Sequence, residues 1–319
     1  NTIILSAVAV GLACMATSCS QGLWSIRAGV FGIGAAAGLY FPSAMATITS
    51  LFTPNHWGKA ISVHELAPNL AFIAAPLLSD LLLQWVSWRG TLLVVGLASL
   101  LLGLALIRFG RGGEFPGEAP ALGFLRGLFR EPVFWIMVAL FGLGISSTVG
   151  VYSMLPLFLV SERGMNPEQA NTVVALSRIP SLGMALLSGW VADYIGAKKT
   201  MACALLFTGI LTLFLGLVPG IWMLVVIFSQ AMLAVCFFPA AFSALSSIAF
   251  SSSPNLIISF TIPFAFLAGA GVAPTLIGIF GKEGSFGWGI SLVGILLIIS
   301  SALSAFVDLP DQKTRSRAG

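Results

Sequence analysis

Apolar residues run on in this chain for about 17–25 positions at a stretch, the length needed to cross a hydrocarbon core, and then stop at short polar or Gly/Pro-marked breaks. Ten such runs predict ten helices, near Ile3 to Thr17, Leu23 to Thr49, Lys59 to Val86, Thr91 to Arg108, Val133 to Val160, Pro167 to Val191, Thr200 to Leu217, Ile221 to Ser247, Asn255 to Ile279 and Trp288 to Phe306. The first is short because the chain opens almost inside it. Barrel strands would instead show about ten residues of alternation per crossing.

Composition agrees with a polytopic membrane protein. Hydrophobic residues make up 58% and charged residues 8%, with a mean hydropathy of +1.02, against about 45–50% and 25% in soluble domains. The four cysteines (Cys14, Cys19, Cys203, Cys236) lie in or beside apolar runs without metal-ligand spacing or a disulfide framework. Each is expected to be a buried small hydrophobe, and neither metal nor cofactor is expected.

The basic residues orient the chain. With a cytoplasmic C-terminus, Lys59, Arg108, Arg111, Arg126, Arg130, Lys198, Lys199, Lys313, Arg315 and Arg317 are all inside. Arg89, Arg163 and Lys282 are then outside, while Arg27 and Arg178 fall within spans. Topology thus explains the net charge of +4 by the positive-inside rule, and nucleic-acid binding is not needed. Trp24, Trp57, Trp85, Trp88, Trp222 and Trp288 sit at span ends, as interfacial anchors do.

An internal duplication underlies the pattern. Leu23-Trp24 matches Ile221-Trp222 and Ala75-Pro76 matches Ala273-Pro274 at an offset of 198, while Tyr40-Phe41-Pro42 matches Phe237-Phe238-Pro239 at 197. Residues 1–108 therefore form an N-terminal bundle of four helices, 109–131 a cytoplasmic linker, 132–307 a C-terminal six-helix bundle and 308–319 a cytoplasmic tail. The stretch from Pro132 to Lys198 has no partner copy. That imbalance, with Asn1 as the first residue, leads to the expectation of a fragment that lacks about two helices, or roughly 65–70 residues at membrane-helix length; a ten-span protein is the alternative.

Three segments carry a family resemblance. Gly189-Trp-Val-Ala-Asp193-Tyr-Ile-Gly196-Ala-Lys198-Lys199 resembles the G-x-x-x-D-x-x-G-x-[RK]-[RK] loop of the major facilitator superfamily. Arg27-Ala-Gly-Val-Phe-Gly32-Ile-Gly34-Ala is similar to the R-x-x-x-x-G-x-G-A pattern of its fourth helix, and Leu155-Pro156 through Pro167 is similar to its seventh helix and the outer loop after it. The antiporter pattern of the fifth helix survives only in eroded form, as Asn69 through Ala75-Pro76. The resemblance implies ten of twelve helices in an all-α, two-bundle fold that rocks about a central site. It also associates Arg27 with proton coupling. Pro68, Pro180 and Pro263 are expected to kink or break their helices.

Substrate contacts should be polar groups at membrane depth, where an ionisable side chain is costly. Arg178 stands about 16 Å along a helix from Pro167, near the middle of the core. A guanidinium there suits an organic anion; pairing with an acid elsewhere is the alternative. Tyr152, Gln230 and Asn171 are further candidates for lining the cavity, or else for bonding helix to helix. Arg27, His64, Glu65 and Asp80 are candidates for proton coupling, since buried carboxylates and histidine exchange protons near neutral pH; Glu65 could equally gate with Lys59.

The expectation is a multi-pass transporter of a small organic solute, expected to be anionic and proton-coupled, in a plasma or bacterial inner membrane. Its partners would be that solute, a proton and the bilayer, with no nucleic acid, and the chain would act as a monomer. Drug or metabolite efflux is the rival within transport. An intramembrane lipid-modifying enzyme is the rival outside it, but the chain lacks the metal-ligand spacing or acid cluster such chemistry needs.

Overall fold

The computed structural model describes residues 1–51, 57–110, 122–248 and 254–307. Among them nine helices are long and apolar enough to cross a membrane: Leu23–Ala44, Leu66–Leu83, Trp88–Phe109, Pro132–Ser161, Pro167–Ala192, Ala197–Leu217, Ile221–Leu245, Ile257–Lys282 and Phe286–Phe306. A shorter apolar helix, Thr2–Ser18, precedes them. These ten segments coincide with the ten apolar runs.

Locally the crossings divide into shorter helices. The chain runs α1 (Thr2–Ser18), α2 (Leu23–Gly38), α3 (Tyr40–Leu51), α4 (Trp57–Leu83), α5 (Trp88–Phe109), α6 (Leu122–Leu128) and α7 (Pro132–Ile145). It continues through α8 (Val151–Ser161), α9 (Pro167–Ser177), α10 (Ile179–Ile195), α11 (Ala197–Leu217) and α12 (Ile221–Ala234). The last four are α13 (Phe237–Ile248), α14 (Pro254–Phe266), α15 (Ala273–Lys282) and α16 (Phe286–Leu303). A π-helical turn, Ser146–Gly150, joins α7 to α8, and a second, Leu267–Val272, joins α14 to α15. The second has an evident cause. Pro274 has no N–H for the carbonyl four residues earlier, and its ring crowds that carbonyl, so the preceding turn widens. Pro180 likewise marks the break between α9 and α10, with Arg178 at the junction. Pro263 lies inside α14, and α4 runs unbroken through Pro68.

The helices cluster into two compact units, one of residues 1–63 and 75–118, the other of 64–74 and 119–319. Within the first, α1 packs against α2 and α5. Ser6 Oγ donates to the Ala36 carbonyl at 2.7 Å and Ser99 Oγ to Ala7 at 2.8 Å. Within the second, α11 packs along α16 and α7 along α14.

The duplication reappears in the packing of each unit. A methyl added at Gly11 (α1) would stand 2.8 Å from the Gly96 carbonyl oxygen (α5), and one at Gly96 would stand 2.8 Å from that of Gly11. At an offset of 198, Gly209 (α11) meets the Gly294 carbonyl (α16) at 2.9 Å and Gly294 meets that of Gly209 at 2.8 Å. In both copies two helices touch backbone to backbone, the contact that small residues permit in lipid.

Cys14 and Cys236 are buried as expected, whereas Cys19 and Cys203 are exposed. Cys203 lies on α11, whose outer face meets acyl chains in a membrane, so an apolar thiol there need not be interior, and Cys19 caps the end of α1.

The loop signature spans the end of α10 and the start of α11. Gly196 has φ +95°, the left-handed region, and its N–H donates to the Ala192 carbonyl to close α10. Lys198 Nζ donates to the Ala305 carbonyl at 2.8 Å, which ties this turn to the end of the last helix. Lys199 is exposed. The side chain of Asp193 lies outside the described residues. Gly196→Ala is expected to lower stability by about 1 kcal/mol, because an L side chain is strained at that φ. Gly189→Ala in the same motif, where a methyl would meet nothing within 4 Å, should not. Thermal unfolding in detergent compares the two.

Candidate functional site

The π-turn between α7 and α8 organises the polar interior of the second unit. Two of its consecutive carbonyls accept from side chains of other helices. Thr148 takes a short hydrogen bond from Arg178 Nη2, and Ser147 takes one from Gln230 Nε2 at 3.1 Å. A carbonyl oxygen has two lone pairs, so each can take an outside donor.

Arg178 sits at the α9–α10 break and is only 2% exposed. Its guanidinium carbon lies 3.6 Å from the Tyr152 ring centroid and 4.9 Å from that of Phe72 on α4. Cation–π contact of this kind is worth about 2 kcal/mol when desolvated. Tyr152 is buried and passes its hydroxyl proton to the Ile227 carbonyl of α12 at 3.0 Å. Among the described residues, two donors beside this network have no partner. Arg178 Nη1 is sealed from solvent with nothing to donate to, and so is Ser181 Oγ, one turn further along α10 on the same face. Among the described residues no carboxylate pairs with Arg178. A buried cation with a spare N–H is an unfavourable arrangement by itself, and a hydrogen-bond acceptor at that edge would satisfy it.

Of the substrate-contact candidates, the structure brings Arg178, Tyr152 and Gln230 into one network through the π-turn. Asn171 is half-buried and engaged, about 10 Å before Arg178 along the chain's helical rise. Thr148, Ser147, Ser181 and Phe72 were not among them. The run Ser146-Ser147-Thr148-Val149-Gly150 in an otherwise apolar span was the available signal.

Of the proton-coupling candidates, Arg27 and Asp80 belong to the first unit and His64 to the second. Arg27 is exposed on α2 and lies over Trp24, 4.9 Å from the ring centroid. His64 and Asp80, both on α4, are half-buried and each engaged. The side chain of Glu65 lies outside the described residues.

A cavity of about 290 Å³ lies elsewhere in the second unit, at the end of α8. There Glu162 accepts from the Gly287 N–H at the start of α16, and Arg163 Nη2 donates to Gly216 at the end of α11, both at 3.3 Å. An acid on a helix N-terminus and a base on a helix C-terminus suit both dipoles, so this is read as a clasp between helix ends.

Comparison with known proteins places the architecture. The family model described as Major Facilitator Superfamily matches residues 1–177 and 149–319. The chain belongs to this superfamily. It is an integral, multi-pass membrane protein with a transporter fold. The superfamily fold is also seen in the E. coli fucose:proton symporter FucP, at a TM-score of 0.70 and 15% identity, covering 97% of this chain and 83% of that one. A bacterial homolog of the human lysosomal transporter Spinster, inward-facing and occupied, matches at 0.68 and 16% identity, over 96% and 81%. In sequence, an MFS-type efflux pump of Mycolicibacterium smegmatis is 32% identical over 168 residues, 49% of this chain and 38% of that protein. Human monocarboxylate transporter 11 is 28% identical over 205 residues, 59% of this chain and 42% of that protein. The matched stretches thus span about two fifths of these relatives.

Proposed function

We propose that this superfamily member carries small organic monoanions by alternating access, with Arg178 as the anion contact and protons as the coupling ion. The observation behind this is the edge of Arg178 that remains open. Nη2 is committed to Thr148, the aromatic rings cover the guanidinium, and Nη1 is left to donate. One free donor edge on one cation fits one carboxylate, and Tyr152 and Phe72 offer apolar walls to the rest of a small ligand. The likeness to a monocarboxylate transporter and to a proton symporter supports the same direction. In this reading the C-terminus is cytoplasmic, Tyr152 and Asn171 line the pathway, and Glu65, His64, Asp80 and Arg27 are the residues to examine for proton transfer.

The test is uptake into proteoliposomes of a panel of radiolabelled monocarboxylates, dicarboxylates, sugars and lipophilic cations, with and without an inward proton gradient. Monocarboxylates should accumulate only with the gradient. Glu65→Gln should abolish accumulation and leave exchange at equal pH intact; unchanged proton dependence removes Glu65 from the mechanism. The efflux-pump relative favours a second reading, export of amphipathic compounds with Arg178 as a structural residue. That reading gains if the lipophilic cations move and the carboxylates do not.

A further inference from the structure

We infer that Gln230 is a positioning residue for Arg178: through the π-turn it sets where the anion-binding guanidinium stands. The inference rests on the proposed anion contact and goes beyond it.

Gln230 is fully buried on α12. Its Nε2 donates to the Ser147 carbonyl and to Thr212 Oγ1 on α11, both at 3.1 Å. The amide orientation is not arbitrary. A carbonyl can only accept, and the Thr212 hydroxyl already gives its proton to Thr208 at 2.8 Å, so it accepts as well. Both partners therefore demand the NH2 end, and Oε1 is left without a partner. Bonds of this kind in a low-dielectric interior hold geometry tightly because no water competes for them.

The next carbonyl along, that of Thr148, is the one Arg178 grips, and Tyr152, one turn on, lies over the guanidinium. Tyr152 also returns to α12, at Ile227, three residues before Gln230. The turn from Ser147 to Tyr152 is thus tied to α12 at both ends, and Arg178 hangs from its middle. A π-turn is a rare backbone register within an α-helix, and this one is held by bonds from its surroundings. Removing the tie at Ser147 loosens the turn, which moves the Thr148 carbonyl and with it the guanidinium. An ordinary buried glutamine would contribute stability alone. This one acts on a binding geometry that it does not itself contact.

The experiment uses the full chain in proteoliposomes, with the monocarboxylate found to be carried as probe and Arg178→Ala as reference. Gln230→Leu, nearly isosteric and without donors, should raise the half-saturation concentration about tenfold and change the maximal rate little, since misplacement of a contact by an ångström or less costs up to about a hundredfold. Gln230→Glu should be impaired at least as much as Gln230→Leu at high pH, where a buried carboxylate faces two acceptors. At low pH, where the acid form can donate once, it should return toward wild type, each point taken as a ratio to wild type at that pH. Amide exchange across 146–152 should quicken in Gln230→Leu and not elsewhere in the unit. Wild-type half-saturation in Gln230→Leu beside an inactive Arg178→Ala overturns the positioning role alone. Full uptake by Arg178→Ala removes the anion reading and this inference with it, and unchanged exchange over 146–152 overturns the tie whatever the transport result.

Discussion

Arg178→Ala should abolish saturable uptake of a carried anion, and Arg178→Lys should come close to doing so. Truncating one member of a buried, charge-assisted contact costs about 2–5 kcal/mol, so apparent affinity should fall by about 30-fold to several thousand-fold. Lysine keeps the charge but not the planar fork. It cannot hold the Thr148 carbonyl with one donor, lie flat on Tyr152 and still present a second donor to a ligand. Removing the side chain deletes a buried cation whose Nη1 has no partner, but also its bond to Thr148 and its ring contacts, so the thermal stability of the Ala variant in detergent should change little. Normal uptake by that variant would falsify the anion contact; lost uptake together with lost thermal stability would point to the structural role that the efflux reading requires.

The second large effect is a difference of sign between two identical substitutions. Gly278→Ala in α15, where a methyl meets nothing within 4 Å, should stabilise by about 0.5–1 kcal/mol, the ordinary gain of alanine over glycine in a helix. Gly294→Ala should destabilise by about 1–3 kcal/mol, because its methyl falls 2.8 Å from the Gly209 carbonyl oxygen and against the backbone of Leu213. Backbone cannot rotate aside as a side chain can. Gly96→Ala should repeat the loss through the Gly11 contact of the first unit. Paired unfolding transitions at one detergent concentration measure all three. Equal shifts for Gly278 and Gly294 would remove the idea that close helix contact governs the seam.

The two predictions draw on different levels of the chain. The seam was half visible beforehand: the 198-residue offset carries Gly11 onto Gly209 and Gly96 onto Gly294. Sequence alone could not say that these glycines face one another rather than lipid. The site was visible in the same partial way. Arg178, Tyr152 and Gln230 stood out because polar groups are rare in apolar spans, but their roles differ in ways residue type does not reveal. Gln230 spends both donors within the unit, and Tyr152 lies over the guanidinium.

What the sequence determined by itself was the class of the protein, its ten apolar segments and its duplication, because hydrocarbon imposes run length and backbone satisfaction on any chain that crosses it. Its loop and helix signatures also pointed to the superfamily. Only the tertiary structure decided the π-turn at Ser146–Gly150 and what hangs from it. That turn accompanies bonds from side chains 30 and 83 residues away, Arg178 on Thr148 and Gln230 on Ser147. Periodicity within one span contains no term for such partners.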